Sequence, residues 1–294
     1  MRVGFVCTNF NNAHFTHDAV ESLASGSRPD DVRIVVVDNH SREDDVAALV
    51  EIGRRFSNVE IVLSPENLGY FRGLNLGIQT LRTSHPDIAH VVIGNNDLTF
   101  PSDFVERIQR QAEVLERYAV VAPDIVCADG LHQNPHVLYP ISRARRVMWD
   151  LYYLAYGPAR LIRKLAGITQ RLTARLETRH GHELHTTPGP IILGLGACYL
   201  LGPEFFRHFD RLYAPTFLMA EEFFLAEQVS AIEQSIYYDP RFVVYHHGAA
   251  TTGEVPNRRL WAFAKESHRV YKRHLALPFA ERRARILRET RDRR

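Results

Sequence analysis

Several short stretches of this chain place carboxylates, amides and a histidine where chemistry could be done. Val91–Val92–Ile93–Gly94–Asn95–Asn96–Asp97 runs an apolar strand directly into a polar turn that ends on a carboxylate. That is the position at which an open α/β sheet holds a charged ligand. Val35–Val36–Val37–Asp38–Asn39 has the same form, and Glu221–Glu222 and His246–His247–Gly248 follow downstream. Each string alone is ambiguous. Asn/Asp clusters after strands are also ordinary turn chemistry, and adjacent acids at a helix start are favourable partners of the helix dipole.

The elements that must position these groups follow from periodicity. Apolar runs at 3–7, 33–37, 59–63 and 90–93 alternate with helical patterns, which predicts βαβ units and a mainly parallel sheet flanked by helices. Ser41 with Asp44 three residues on resembles a capping box opening a helix through Val46, Leu49 and Val50. Leu74, Ile78 and Leu81 stand at helical spacing, and Pro101–Ser102 can start a helix with Phe104, Ile108, Ala112 and Leu115 on one buried face. Residues 120–126 read as a strand. Strand character returns over 190–201, and short helices are expected near 203–208 and from the acid pair through Leu225, Val229 and Ile232. Strands at 235–238 and 242–245 deliver His246, before a last helix from 258 towards 274.

From about residue 140 the character changes. Trp149, Leu151, Tyr152 and Leu154 mingle with Arg143, Arg145, Arg146, Arg160, Arg163, Lys164, Arg171, Arg175 and Arg179. Such a basic, aromatic, helical insertion can lie on an anionic membrane surface. It can equally pack on its own domain with a solvated basic face. The chain divides into 1–139, an insertion at 140–188, a second half at 189–275, and a basic tail at 276–294.

A chain of 294 residues with 45% hydrophobic content can bury a full α/β core. With 36 Lys and Arg against 34 Asp and Glu, nothing in the charge calls for nucleic acid, and no such partner is expected. Cys7, Cys127 and Cys198 sit far apart in apolar runs, as suits buried thiols in a reducing compartment. The N-terminus reads as a first strand without signal-peptide organisation, and the apolar stretch 191–201 is too short to span a bilayer. A cytoplasmic protein is expected, peripheral at the inner face of the plasma membrane if the insertion binds lipid. Cys7–Thr8–Asn9–Phe10–Asn11 carries neither a dinucleotide Gly-x-Gly-x-x-Gly nor a Gly- and Lys/Arg-rich phosphate loop, which argues against an oxidoreductase and a nucleotidyltransferase.

In their order along the chain these motifs resemble the inverting family 2 glycosyltransferases, with their GT-A nucleotide-diphospho-sugar transferase fold, and especially the bacterial branch containing rhamnosyltransferases. Thr8–Asn9–Phe10–Asn11 resembles Thr-x-Tyr-Asn, and Val37–Asp38–Asn39–His40–Ser41 resembles Val-Asp-Asn-x-Ser. Asn67–Leu68–Gly69–Tyr70 with Asn75 and Gly77 is similar to Asn-x-Gly-Phe…Asn-x-Gly. Asn95–Asn96–Asp97 matches an Asn-x-Asp variant of Asp-x-Asp, and Gly196–Ala197–Cys198, Glu221–Glu222 and His246–His247–Gly248 resemble the later elements.

The resemblance implies a metal-dependent hexosyltransferase. It makes Asp97 and His246 holders of Mg²⁺ or Mn²⁺, with Asn95 and Asn96 beside the nucleotide. It places Thr8, Asn11 and Asp38 at the base or ribose, and Asn67, Gly69 and Arg72 along a nucleotide-approaching loop. Glu222 is implied as the base that deprotonates an acceptor hydroxyl, with Glu221 second. The implied donor is a dTDP-, UDP- or GDP-linked sugar, rhamnose leading, and the acceptor a saccharide or lipid-linked polysaccharide precursor. Glu replaces the family's Asp at 222, and Lys265–Glu266 replaces a common Arg-Asn. A non-catalytic nucleotide-sugar-binding module therefore stands as the alternative, ahead of a nucleotidyltransferase.

Overall fold

The computed structural model describes residues 1–137, 143–157, 159, 184–248 and 258–291. Its first half is a parallel sheet. β1 (Val3–Asn9), β2 (Val32–Asp38), β3 (Val59–Leu63) and β4 (His90–Asn95) lie in the order β3-β2-β1-β4. They are joined through α1 (Ala13–Ala24), α2 (Glu43–Arg55) and α3 (Tyr70–Ser84). The chain thus leaves β1 towards one sheet edge and returns to β1's other side for β4. Between the C-terminal ends of β1 and β4 lies a topological switch point, where Thr8 is in register with Asn95.

Beyond β4 the sheet becomes mixed. β8 (Cys198–Leu201) pairs antiparallel with both β4 and β6 (Val120–Cys127). β9 (Ile236–His246) runs parallel to β6, while β5 (Leu98–Thr99) and β7 (Gly189–Ile191) pair antiparallel with β9. The two strands expected at 235–238 and 242–245 are one strand. Its register against β6 shifts between Pro123 and Asp124, and the bulging Arg241 is held by the Asp239 carboxylate.

Alternate residues of each strand feed two cores. On one face Val6, Val35, Ile93 and Tyr199 pack against α3, α7 (Pro203–His208), α8 (Glu221–Ser230) and α10 (Phe279–Thr290). On the other Phe5, Cys7, Val36 and Leu200 meet α1, α2, α4 (Phe104–Arg110) and α5 (Ala112–Arg117). The single helix expected after Pro101 is therefore two, with the break at Gln111. The expected basic tail is helical too. Ile286 and Thr290 of α10 are buried, and Arg282 donates to Glu227 at 2.8 Å.

Where it is described, the insertion docks on the domain. α6 (Arg143–Tyr152) lies along α9 (Arg258–Leu275): Asp150 pairs with His268 and Lys272 at 2.8 and 2.9 Å, and the Trp149 ring meets Phe223. Lys265 donates to Leu154 O at 2.9 Å, so it faces α6. Arg160, Arg163, Lys164, Arg171, Arg175 and Arg179 lie outside the described residues. Among the described residues no helix is long and apolar enough to cross a membrane.

Candidate active site at the sheet switch point

At the ends of β1 and β2 the polar side chains first satisfy one another. Asn9 Nδ2 donates to Asp38 Oδ1 and Asp45 Oδ2, and its Oδ1 accepts from Thr16 and Asn96. Asp38 is 1% exposed, with its Oδ2 taken by the Ser41 N–H at 3.0 Å. The expected capping box at Ser41 does not form. The Ser41 hydroxyl accepts from Asn11 N at 2.9 Å instead, and Asp45 caps α1 from outside by accepting from Ala13 N at 2.8 Å. Asn96 departs from its expected place beside the nucleotide, because its amide donates inward to Asn12 and Thr16. Asn11, in the left-handed region, uses its Oδ1 on Arg42 N.

Beside this network opens a cavity of about 340 Å³. Thr8, Asn39, Asn67 and Gly69 line one side; Phe217, Leu218, Arg259 and Phe263 line the other. Asn67 Oδ1 accepts from Gly69 N, turning the loop into α3. Only glycine serves at 69: its φ is +81°, and a Cβ there would lie 2.0 Å from Phe217 O. Arg72 departs from the expectation. It leaves α3 on another face, donates to Ala214 O at 3.3 Å and lines a separate groove with Arg82 and Arg211. One helical residue advances about 100°, so Arg72 cannot share the cavity face with Tyr70 and Gly73.

Asp97 and His246 come together because β5 starts at Leu98, which is the register partner of His246. Asp97 O accepts from His247 N at 2.9 Å. His246 Nε2 stands 3.3 Å from Asp97 Oδ1, yet among the described residues that buried oxygen has no hydrogen-bond donor. The other ring nitrogen, Nδ1, meets Gln133 Oε1 at 2.8 Å. Among the described residues no three His, Cys, Asp or Glu side chains gather as a complete metal cage. A carboxylate and an imidazole nonetheless fit Mg²⁺ or Mn²⁺ that takes its remaining oxygens from substrate phosphates and water. Adjacent ligands of an octahedral ion with bonds of about 2.1 Å stand about 3 Å apart, close to the observed gap.

The acid pair opens α8. Met219 and Ala220 both hold left-handed φ values of 74° and 68° immediately before Glu221, a strained entry of the kind that clusters at functional sites. Glu221 is 6% exposed and its Oε1 has no partner among the described residues. Burial, then the charge of Glu222, pushes its carboxyl up to about 8. Burial also raises Glu222 above the usual carboxylate range. Glu222 Oε2 lies 3.6 Å from where a Cβ on Gly196 would stand. Gly196 O accepts from the Tyr70 hydroxyl at 2.9 Å, and Ala197 O accepts from Asn95 N at 2.9 Å. Tyr70, already raised by burial, feels the charges of both Glu221 and Asp97. Glu221 and Asp97 thus both lie near enough to Tyr70 for their charges to act on its hydroxyl.

Of the residues expected in a site, Thr8, Asn67 and Gly69 line the cavity, Asp97 and His246 meet at 3.3 Å, and Glu221 and Asp97 both act on the Tyr70 that lines the cavity. Asp38, Asn11 and Asn96 are engaged in the hydrogen-bond network at the ends of β1 and β2. Sequence reading missed Gln133, Tyr70 as a link, Phe217 and the α9 residues Arg259 and Phe263; no local pattern marks them. The family model described as Glycosyl transferase family 2 matches residues 5–166. Among solved structures, the chain is similar to GalNAc-T7 with UDP, GalNAc and Mn²⁺, at 12% identity over 87% of this chain and 45% of that one, with a TM-score of 0.55. It is likewise similar to S. aureus TarS, at 12% identity over 85% of this chain and 37% of that one, TM-score 0.53. The chain spans less than half the length of either, and at this identity the likeness shows a shared fold. No curated protein matches the chain.

Proposed function

The chain belongs to glycosyl transferase family 2, and from that premise we propose that it moves a sugar from a nucleoside diphosphate to an acceptor hydroxyl with inversion, using Mg²⁺ or Mn²⁺. The observation that carries this reading is the 3.3 Å approach of Asp97 and His246 beside the switch point, with the buried Glu221 close enough to act on the same Tyr70 hydroxyl as Asp97. The nucleoside occupies the cavity between Thr8 and Phe263, and its diphosphate extends towards Asp97. Asp97 and His246 would hold the cation, which when bound would supply positive charge against the departing diphosphate.

Glu222 takes the acceptor proton as the hydroxyl oxygen attacks the anomeric carbon from the face opposite the diphosphate. Glu221, raised to about 8, keeps its own proton at neutral pH. The charge of Glu222 is one cause of that rise, which suits Glu222 to the role of base. Burial of Glu222 strengthens it as a base. Rhamnose is the leading donor sugar, supported by the Asn-x-Asp form of the motif at Asn95–Asp97. A saccharide or lipid-linked acceptor suits α6, whose outer face would hold the enzyme at an anionic cytoplasmic membrane surface.

The test is turnover of a panel of nucleotide sugars with Mn²⁺, chosen first by thermal stabilisation of the protein. Glu222→Gln should keep donor-induced stabilisation while kcat falls about 10²–10⁴-fold. Stabilisation by a donor with no turnover from the native chain would favour a non-catalytic nucleotide-sugar-binding module.

A further inference from the structure

We propose that Gln133 is a positioning residue for the cation, setting the tautomer in which His246 offers a lone pair beside Asp97; this rests on the cation reading above. Gln133 lies on a segment that folds back along β6. Its N–H donates to Ile125 O at 2.8 Å, and its neighbour His132 forms a β-bridge with Val126. This backbone anchoring aims the carboxamide at the end of β9, where Oε1 stands 2.8 Å from His246 Nδ1.

A carboxamide oxygen only accepts, so the proton at this contact sits on Nδ1, and Nε2 of the neutral ring holds the lone pair. Nε2 stands 3.3 Å from Asp97 Oδ1 without the alignment of a hydrogen bond, so its lone pair points beside that oxygen, and Oδ1 has no hydrogen-bond donor among the described residues. Two acceptors this close, with no hydrogen bond joining them, make an arrangement that a cation set to one side of the line between them completes. In the opposite tautomer a proton on Nε2 would occupy that gap and compete with the metal. Gly248 leaves the space beside Nε2 open, since a Cβ there would lie 2.5 Å from it. Partners behind metal ligands act in this way, and their removal typically weakens metal binding 10–100-fold.

The experiment uses the full chain labelled with ¹⁵N-histidine, first without metal. Proton–nitrogen correlation at neutral pH should show His246 with its proton on Nδ1, the resonance being assigned by its loss in His246→Gln. A proton on Nε2 in the native protein would overturn the proposal, whatever the variants do. Mn²⁺ binding is then measured by calorimetry in the presence of UDP. Gln133→Leu should shift the tautomer towards Nε2–H and weaken Mn²⁺ at least about 10-fold, whereas Gln133→Glu, which still accepts at the same place, should restore both. Equal weakening by Leu and Glu would mark a merely structural role and overturn the proposal. Loss of Mn²⁺ in Asp97→Asn combined with no change in Gln133→Leu would refute the part assigned to Gln133 alone. Undiminished Mn²⁺ binding in Asp97→Asn would instead remove the cation site itself.

Discussion

Glu221 and Glu222 are neighbours in sequence, but their surroundings divide the labour between them. Glu221 is enclosed, with its carboxyl pushed up to about 8 by burial and then by Glu222. Folding therefore binds a proton at Glu221 that the unfolded chain releases near 4.5. Its stabilising contribution is complete below about 4.5, shrinks as pH rises, and is gone above about 8. The melting temperature of the native chain should fall across that window, and Glu221→Gln should flatten the decline. An unchanged slope would show that Glu221 is not the group that titrates. At this scale the sequence was informative about identity and silent about direction. Asp97, His246 and the acid pair stood out as motifs. That Asp38 and Asn96 turn inward depended on Asn9 and Thr16 being there to receive them.

Two short loops decide where the helices bearing these groups begin. The turn before α3 and the loop before α8 are locked together: Tyr70 N donates to Phe217 O at 3.0 Å, over the bare Cα of Gly69. Three residues past Phe217 the chain reaches Ala220, whose left-handed backbone orients Glu221 at the first turn of α8. A left-handed conformation costs a non-glycine residue about 1–2 kcal/mol, and a β-branched side chain tolerates it least. Ala220→Val should lose about 1–2 kcal/mol in urea unfolding and lower kcat through the misplaced acid pair. Ala220→Gly should lose no stability beyond about 1 kcal/mol of unfolded-chain entropy. Equal losses in the two variants would show that the backbone at 220 is not under strain. The helices themselves were legible, since Leu74, Ile78 and Leu81 carry their period openly. The left-handed pair was not, because neither Met nor Ala advertises that conformation.

Across the whole molecule, the insertion joins the domain through one face of α6 and leaves another uncovered among the described residues. Trp149, Asp150 and Tyr153 turn towards α8 and α9. Val147, Met148, Leu151 and Leu154 are between 45% and 69% exposed. Apolar side chains so disposed, within a segment rich in arginine, suit the interface of an anionic bilayer. The double variant Leu151→Asp, Leu154→Asp should sediment less with phosphatidylglycerol vesicles while keeping its melting temperature. Equal sedimentation of variant and native chain would remove the membrane role from this face.

The sequence by itself determined the alternation of strand and helix, the α/β class and the polar turns that end β2 and β4, because periodicity and turn chemistry are local properties. It also held the motif order that marks the family. Only the tertiary structure decided that β5 pairs with β9 and so carries His246 to Asp97, that Gln133 reaches the far side of that ring, and that Arg259 and Phe263 of α9 line the cavity beside Gly69. These pairings join residues more than a hundred positions apart, and their geometry follows from which faces of the sheet and helices must be buried together, which no local stretch of sequence specifies.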